Sequence, residues 1–279
     1  MKHKGRIVFF YMIVVLACVS FSFASAPHTL KVTFLDIGQG DAIFIETPNG
    51  RQILVDAGPS RAILAALGDV MPLSDKSIDI VLTTHPDADH IGGVPSILDT
   101  YEVGLYIDNG RSSPTATYGE IQSRLSTNTV ATRTISRGEE IDLGDGVQIL
   151  FLYPDRTTVC PDTNTCSLVA RVSYGNTAFL LTGDTPTSVE EYLVRTNPEL
   201  LKSDILKIAH HGSKNSLSLP FFTAVSPQEA VISAGRNNRY GHPHASILSA
   251  LSSLSIPTVS TYDVGSITFL SDGQSVVRQ

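Results

Sequence analysis

The stretch Thr84-His85-Pro86-Asp87-Ala88-Asp89-His90-Ile91-Gly92-Gly93 decides how the rest of the chain is read. It follows an apolar run, Ile78 to Leu82, with the length and content of a buried strand. Four metal-capable side chains, His85, Asp87, Asp89 and His90, then fall within six residues. Alternate positions at a strand end point the same way, so His85, Asp87 and Asp89 are expected to converge on one spot. His90 then turns inward as a helix begins. Imidazole mixed with carboxylate suits zinc, manganese or iron better than calcium or magnesium. A polar loop without chemical consequence is the alternative, but ordinary loops rarely concentrate these groups so densely. The expectation is a metal site at the C-terminal end of a strand.

Outward from this stretch, three more polar groups sit directly after apolar runs: Asp56, Asp184 and the pair His210-His211. Sites in layered α/β folds assemble at strand ends. Together the clusters suggest a binuclear centre. His85 and Asp87 would hold one ion, Asp89, His90 and one His of the later pair the other, and Asp184 would bridge. Each ion would keep a position open for water, with a metal-bound hydroxide as nucleophile. Of the pair, His211 is preferred, because a residue immediately after a strand can point into the core. Asp184 also reads as a helix cap. Asp56, in Asp-Ala-Gly, reads as a turn residue or as support for a ligand rather than a ligand.

The segment Asn237-Asn238-Arg239-Tyr240-Gly241-His242-Pro243-His244 concentrates two His, one Arg and one Tyr in a Gly/Pro loop. Such a loop suits an anionic substrate, with Arg239, Tyr240 and the catalytic candidates His242 and His244 near phosphate oxygens. The plainer reading makes His244 the cap of the following helix. Ser213 and Lys214 supply further donors. Gln39 and Asp41, in the Gly-rich turn Gly38-Gln39-Gly40-Asp41, are placed at the same mouth.

Short strands joined by tight turns open the chain, and strands alternate with helices in its second half, so the class is mixed α/β. Residues 27–279 read as one domain. Residues 1–26 read as a signal peptide: Lys2, Lys4 and Arg6 precede the apolar run Ile7 to Phe23, and Ala24-Ser25-Ala26 offers small residues for cleavage. A retained anchor and a lipoprotein at Cys18 are the other readings. Export is the expectation. The net charge of −7 becomes −10 once the three basic residues of this leader are removed. An acidic protein is poorly suited to loose capture of duplex DNA, although a nuclease with a local basic groove is not excluded. Cys160 and Cys166 suit a small loop disulfide in an oxidising compartment, two free thiols, or a thiolate ligand near the site.

His85-Pro86-Asp87-Ala88-Asp89-His90 resembles the His-x-His-x-Asp-His motif of the metallo-β-lactamase fold superfamily. More closely, the chain is similar to the extracellular hydrolase domain of the ComEC competence proteins and its free-standing relatives. The segments that carry the likeness are Phe34 to Ala42, Leu54 to Gly58, Asn164 to Val169, Leu180 to Asp184, Ile208 to Ser213 and Asn237 to His244. The resemblance implies an αββα sandwich, two mixed sheets flanked by helices, with a metal site at one edge. It implies His85, Asp87, Asp89, His90, Asp184 and His211 as ligands. Asp87 stands where most members have a second His, and Asn164 stands near a third. Both exchange nitrogen for oxygen donors, which weakens zinc at the first position and favours manganese or a single ion.

The expected function is an exported hydrolase using one or two divalent ions (Zn or Mn), most simply a phosphodiesterase acting on nucleic acid. Asp89 and Asp184 carry the catalysis, Asn164 joins the substrate contacts, and a DNA-uptake machinery is a possible partner. The alternatives are a hydrolase of a small ester, thioester or lactam, and a non-catalytic module that presents DNA.

Overall fold

In the computed structural model, which describes residues 29–279, two β-sheets stack face to face with helices on both outer sides. The chain begins with an antiparallel meander, β1 (Leu30–Phe34), β2 (Ile43–Glu46) and β3 (Gln52–Val55). Three parallel strands follow, β4 (Ser77–Leu82), β5 (Glu102–Asp108) and β6 (Ala131–Thr134). Between them run the helices α1 (Ile63–Gly68), α2 (Ala88–Ile91), α3 (Val94–Thr100) and α4 (Ala116–Thr127).

The second half repeats this plan. Strands β7 (Glu140–Gly144), β8 (Val147–Tyr153), β9 (Val169–Tyr174) and β10 (Thr177–Leu181) are antiparallel. Strands β11 (Ile205–Lys207), β12 (Glu229–Ile232) and β13 (Thr258–Ser260) extend the sheet in parallel. Their connections carry α5 (Thr187–Thr196), α6 (Pro198–Leu201), α7 (Leu219–Val225) and α8 (Ala245–Ser253). After α9 (Thr261–Val264), β14 (Ile267–Ser271) and β15 (Val276–Arg278) return to the first sheet, β14 lying against β1. The orders are β15-β14-β1-β2-β3-β4-β5-β6 and β13-β12-β11-β10-β9-β8-β7.

Alternation along the strands builds the layers. Val32, Phe34, Ile43, Ile45, Ile53 and Val55 face the inner layer, where they meet Phe151, Val172 and Phe179 of the other sheet. Phe34 packs edge-on against Phe269, with centroids 6.0 Å apart and planes at 88°. Phe44 and Leu54, the intervening residues, face outward and are covered by Ile63, Leu67, Ile97 and Ile121 of the helices. Leu180 and Leu206 do the same under Val189, Phe222 and Ile247. Consequently the loops after β3, β4, β10, β11 and β12 are where polar side chains can gather without breaking an apolar layer.

Two edge strands carry little sequence signal. The four residues of β6, Ala-Thr-Arg-Thr, are all exposed, and β15 is mostly so. Such polar, short edges suit the rim of a sheet, where unpaired backbone must be shielded from other chains. The polar, Gly-punctuated segment from Gly138 to Asp145 contains β7, which pairs with β8 through an irregularity at Asp142/Gly144. The leader, residues 1–26 with Lys2, Lys4, Arg6 and Cys18, lies outside the described residues except in sequence. No described helix is long and apolar enough to cross a membrane.

Candidate metal centre

The His/Asp stretch leaves the sheet before its chemistry begins. Strand β4 ends at Leu82, Asp87 is the residue before α2, and Asp89 and His90 lie within α2. A tight helical turn, rather than strand pleating, brings the side chains together. Asp56, in the left-handed region at φ 58°, aims its carboxylate at this turn, a conformation that Asp adopts more readily than most residues. Its Oδ1 accepts the Thr84 N–H at 2.8 Å, and its Oδ2 accepts the Thr84 hydroxyl at 2.7 Å. The same Oδ2 lies 2.7 Å from His90 Nδ1. An ionised carboxylate requires a donor there, so His90 carries its proton on Nδ1 and presents Nε2 to the site. His85 follows the same logic. Thr84 gives its hydroxyl hydrogen to Asp56 and accepts from His85 Nδ1 at 3.0 Å, which leaves His85 Nε2 as a lone pair.

The other half comes from the second sheet. Asp184 follows β10, and its N–H donates to Ser167 Oγ at 3.2 Å. His210 and His211 follow β11, and both are left-handed, at φ 52° and 55°. Two such residues in succession are strained, and the result is that both imidazoles face the carboxylates. His211 is buried, with Nε2 3.3 Å from Asp89 Oδ2 and 3.5 Å from Asp184 Oδ2. Its Nδ1 donates to the Ser233 carbonyl at 2.9 Å. His90 Nε2 lies 3.2 Å from Asp184 Oδ1, and His210 Nε2 lies 3.7 Å from Asp184 Oδ2. One ligand atom from each of Asp89, His90, Asp184 and His211 falls within 4.8 Å of all the others. His85 Nε2 is 3.7 Å from Asp87 Oδ2, on a carboxylate that remains 39% exposed.

Buried Nε2 atoms of His85, His90 and His211 and Oδ1 of Asp184 have no hydrogen-bond partner. Each orphaned group ordinarily costs about 1–3 kcal/mol, so several in one spot are costly unless a cation completes them. The residues therefore fit a divalent ion. The protonation balance agrees. Burial opposes charge on His90, but the Asp184 and Asp56 carboxylates override it and hold the imidazole well above its ordinary range. Burial likewise works against His211, and Asp184 and Asp41 bring it up to about 9. Burial would raise Asp184, yet His211 and His90 hold it well below the usual carboxylate range. His85, dominated by burial and then by His90, falls to about 4. The cluster attracts positive charge.

A cavity of ≈ 150 Å³ opens on these groups, lined among others by Asp87, Asn164, His210 and His242. Asn164 sits on a single helical turn, Asn164–Cys166. A disulfide from Cys160 to Cys166 and a hydrogen bond from Asn109 Nδ2 to the Cys166 carbonyl, 2.8 Å, hold that turn. His242 is half-buried and its Nδ1 has no partner. Burial, then His210 and His211, lower it to about 4, so it stands as a neutral imidazole near neutrality.

Other expected site residues go elsewhere. Asp41, expected at the substrate mouth, is buried with Oδ2 2.9 Å from Nζ of a fully buried Lys207. Burial pushes its carboxyl up, but Lys207 and then His211 bring it down to about 2. Its loop approaches so closely that a Cβ on Gly40 would lie 2.2 Å from the Asp89 carbonyl oxygen. His244 is exposed and caps α8, accepting the Ser246 N–H at 3.2 Å; the plainer reading of that residue matches. Ser213 is buried and accepts the Asn215 N–H, and Lys214 points to solvent. Gln39 and Tyr240 do line the cavity, and Arg239 lies just outside it, its guanidinium 2.7 Å from Tyr240 Oη. Sequence reasoning missed Lys207 and the cavity face of His210. A lysine inside the apolar run Ile205 to Ala209 was the available signal for the first.

The match to a family model agrees with this architecture: residues 35–236 fit the metallo-beta-lactamase superfamily. The chain belongs to that superfamily. Over 257 residues, 86% of the chain, it is 32% identical to ComE operon protein 3 of Bacillus subtilis (strain 168), of which it covers 33%. It is 33% identical over 245 residues to Recombination protein 2 of Haemophilus influenzae, covering 85% of the chain and 29% of that protein. The chain thus spans about a third of the length of these relatives. Among solved structures, a metal-dependent hydrolase of the beta-lactamase superfamily superimposes with a TM-score of 0.57 at 12% identity, over 85% of this chain and 98% of that one. Zn(2+)-bound PqqB from Methylobacterium extorquens gives 0.51 at 10% identity, over 80% and 85%. These likenesses are of fold. The αββα sandwich expected from the sequence is the one observed.

Proposed function

We propose that the protein is an exported, metal-dependent phosphodiesterase acting on nucleic acid. One observation carries the reading: unpartnered buried atoms of His90, Asp184 and His211 gather with Asp89, with the His85 ring against His90, beside a solvent-reaching cavity lined by Asp87, Asp89, Asn164, Asp184 and His211. His85 and Asp87 would hold one ion, Asp89, His90 and His211 a second, with Asp184 shared. When bound, divalent ions supply Lewis-acid stabilisation of a phosphoryl oxygen and lower the pKa of water. Asp56 and the Ser233 carbonyl fix the two inner imidazoles, and neutral His242 offers a donor at the open side. The oxygen-rich outer position of Asp87 and Asn164 suits manganese as well as zinc.

The nucleic-acid substrate draws support from a relative named as a recombination protein. Export draws support from the Cys160–Cys166 disulfide, which persists in oxidising compartments, and from the basic and apolar leader. A complete donor set favours catalysis over a DNA-presenting module. A small-ester hydrolase would share the metals but have no use for a cationic, aromatic rim. The test is turnover of bis-(4-nitrophenyl) phosphate, single-stranded DNA and nitrocefin by the Mn²⁺- or Zn²⁺-loaded protein. Asp89→Ala and Asp184→Ala are expected to abolish phosphodiester cleavage; survival of turnover in both would sink the mechanism.

A further inference from the structure

Beside the metal cavity lies a second hollow of ≈ 420 Å³, more apolar than polar, bounded by Pro59, Ala88, Asn238, Arg239 and Tyr240. Gln39, Asp89 and Tyr240 line both spaces, so the two are continuous. Its volume lies within the usual range for a small-molecule site. Three features define what it would accept. Tyr240, 52% exposed, lies nearly parallel to His242, with centroids 5.6 Å apart and planes at 22°. Arg239 stands over the Tyr240 ring at 4.9 Å and bonds its hydroxyl at 2.7 Å, which fixes the ring without burying it. At the junction with the metal cavity, Gln39 is held through Oε1 by the Gly235 N–H at 3.1 Å, while its buried Nε2 has no partner.

We infer that this hollow binds one unpaired nucleobase of the strand whose phosphate lies at the metal centre. The inference rests on the phosphodiesterase reading and deepens it. Phosphate alone explains neither the apolar walls nor the fixed, exposed aromatic ring. A planar base, by contrast, packs on Tyr240, Pro59 and Ala88 whatever its sequence, and stacking of this kind contributes about 1–3 kcal/mol per base. The Gln39 amide then meets a carbonyl or phosphate oxygen where base and phosphate subsites join. A paired base cannot enter a one-sided hollow without leaving its stack, so the substrate is single-stranded or frayed.

The test compares two monoesters on the Mn²⁺-loaded full chain by calorimetry: thymidine 5′-monophosphate and 2-deoxyribose 5-phosphate, which differ by the base. The wild type is expected to bind the nucleotide at least about fivefold more tightly. Tyr240→Ala should bring the ratio near one, and Tyr240→Phe should keep the ratio. Equal binding of both probes by the wild type, binding of neither, or an unchanged ratio in Tyr240→Ala would overturn the subsite. Turnover of bis-(4-nitrophenyl) phosphate, read on the same preparation, separates the two ideas. Base-dependent binding without turnover removes the phosphodiesterase reading, whereas turnover without base dependence removes only the subsite.

Discussion

Lys207 Nζ lies 2.9 Å from Asp41 Oδ2, with both side chains buried, and this contact joins the two halves of the site. Lys207 ends β11, just before His211, and the Asp41 N–H donates to the Asp89 carbonyl at 3.2 Å. Asp41 Oδ1 is 3.3 Å from His211 Nδ1. The ion pair therefore ties the turn that carries Asp89 to the loop that carries His211.

Removing one partner of a buried pair strands the other charge, which costs about 3–5 kcal/mol. Lys207→Met is accordingly expected to lower unfolding stability by about that amount in urea titrations. The double variant Lys207→Met/Asp41→Asn should lose less than the sum of the single changes. A loss below about 1 kcal/mol for Lys207→Met would show that the contact does not hold the halves together.

Asp56 does two separable jobs, accepting from Thr84 and orienting His90. Asp56→Ala is expected to weaken metal binding about 10–100-fold, the usual consequence of losing a group that orients a histidine ligand. It should also cost about 1–3 kcal/mol for the buried Thr84 N–H left unpaired. Asp56→Asn keeps an oxygen for that N–H, so it should spare most of the stability but not the metal affinity. Competition against a chromophoric chelator, with thermal melts of the metal-free proteins, reads both effects. Equal loss of both in the two variants would contradict the division.

These relationships mark what the sequence could and could not convey. Alternating residues in β1 to β3 and the His/Asp stretch made the layers and half the site readable, because local periodicity and composition carry them. The spacing of His85, Asp87 and Asp89 suggests strand pleating as the cause of their approach, whereas β4 ends at Leu82 and Asp89 already lies in α2, a helix that the sequence begins only at His90. Asp41 was misplaced for another reason. Its partner lies 166 positions later in sequence, from Asp41 to Lys207, and only the stacking of the sheets brings them together. The sequence favours His211 over His210 because a residue following a strand can turn inward; the left-handed pair reverses that geometry. Strand β6 was invisible because its edge position demands no apolar pattern.

Glu190, on the buried face of α5, provides a pH test away from the metal centre. Neither carboxyl oxygen makes a hydrogen bond of normal geometry. Burial raises its pKa from 4.5 to about 8, and the nearby Ser218 backbone offsets this only in part. Between those values the folded protein keeps a proton that the unfolded chain releases. Stability from this group therefore falls as pH rises from about 4.5 to about 8, by at most about 1.4 kcal/mol per pH unit. Glu190→Gln should flatten that slope and melt higher than the wild type at pH 8. A parallel pair of stability–pH curves would remove Glu190 as the cause.

The two histidines of the Asn237 to His244 loop should behave oppositely. His242 faces the metal cavity with an unpartnered Nδ1, whereas His244 is spent on the backbone at the start of α8. His242→Ala is expected to lower kcat/KM on a phosphodiester about 100-fold, the lower end for loss of a positioned proton-transfer or hydrogen-bonding group, with little change in melting temperature. His244→Ala should cost about 1 kcal/mol of stability through the lost cap and leave kcat/KM within about threefold. Ser at position 244 would restore the stability, since its hydroxyl is a better cap than imidazole. If His244→Ala and His242→Ala impaired turnover equally while His244→Ser failed to recover it, the exposed histidine would belong to the working site after all.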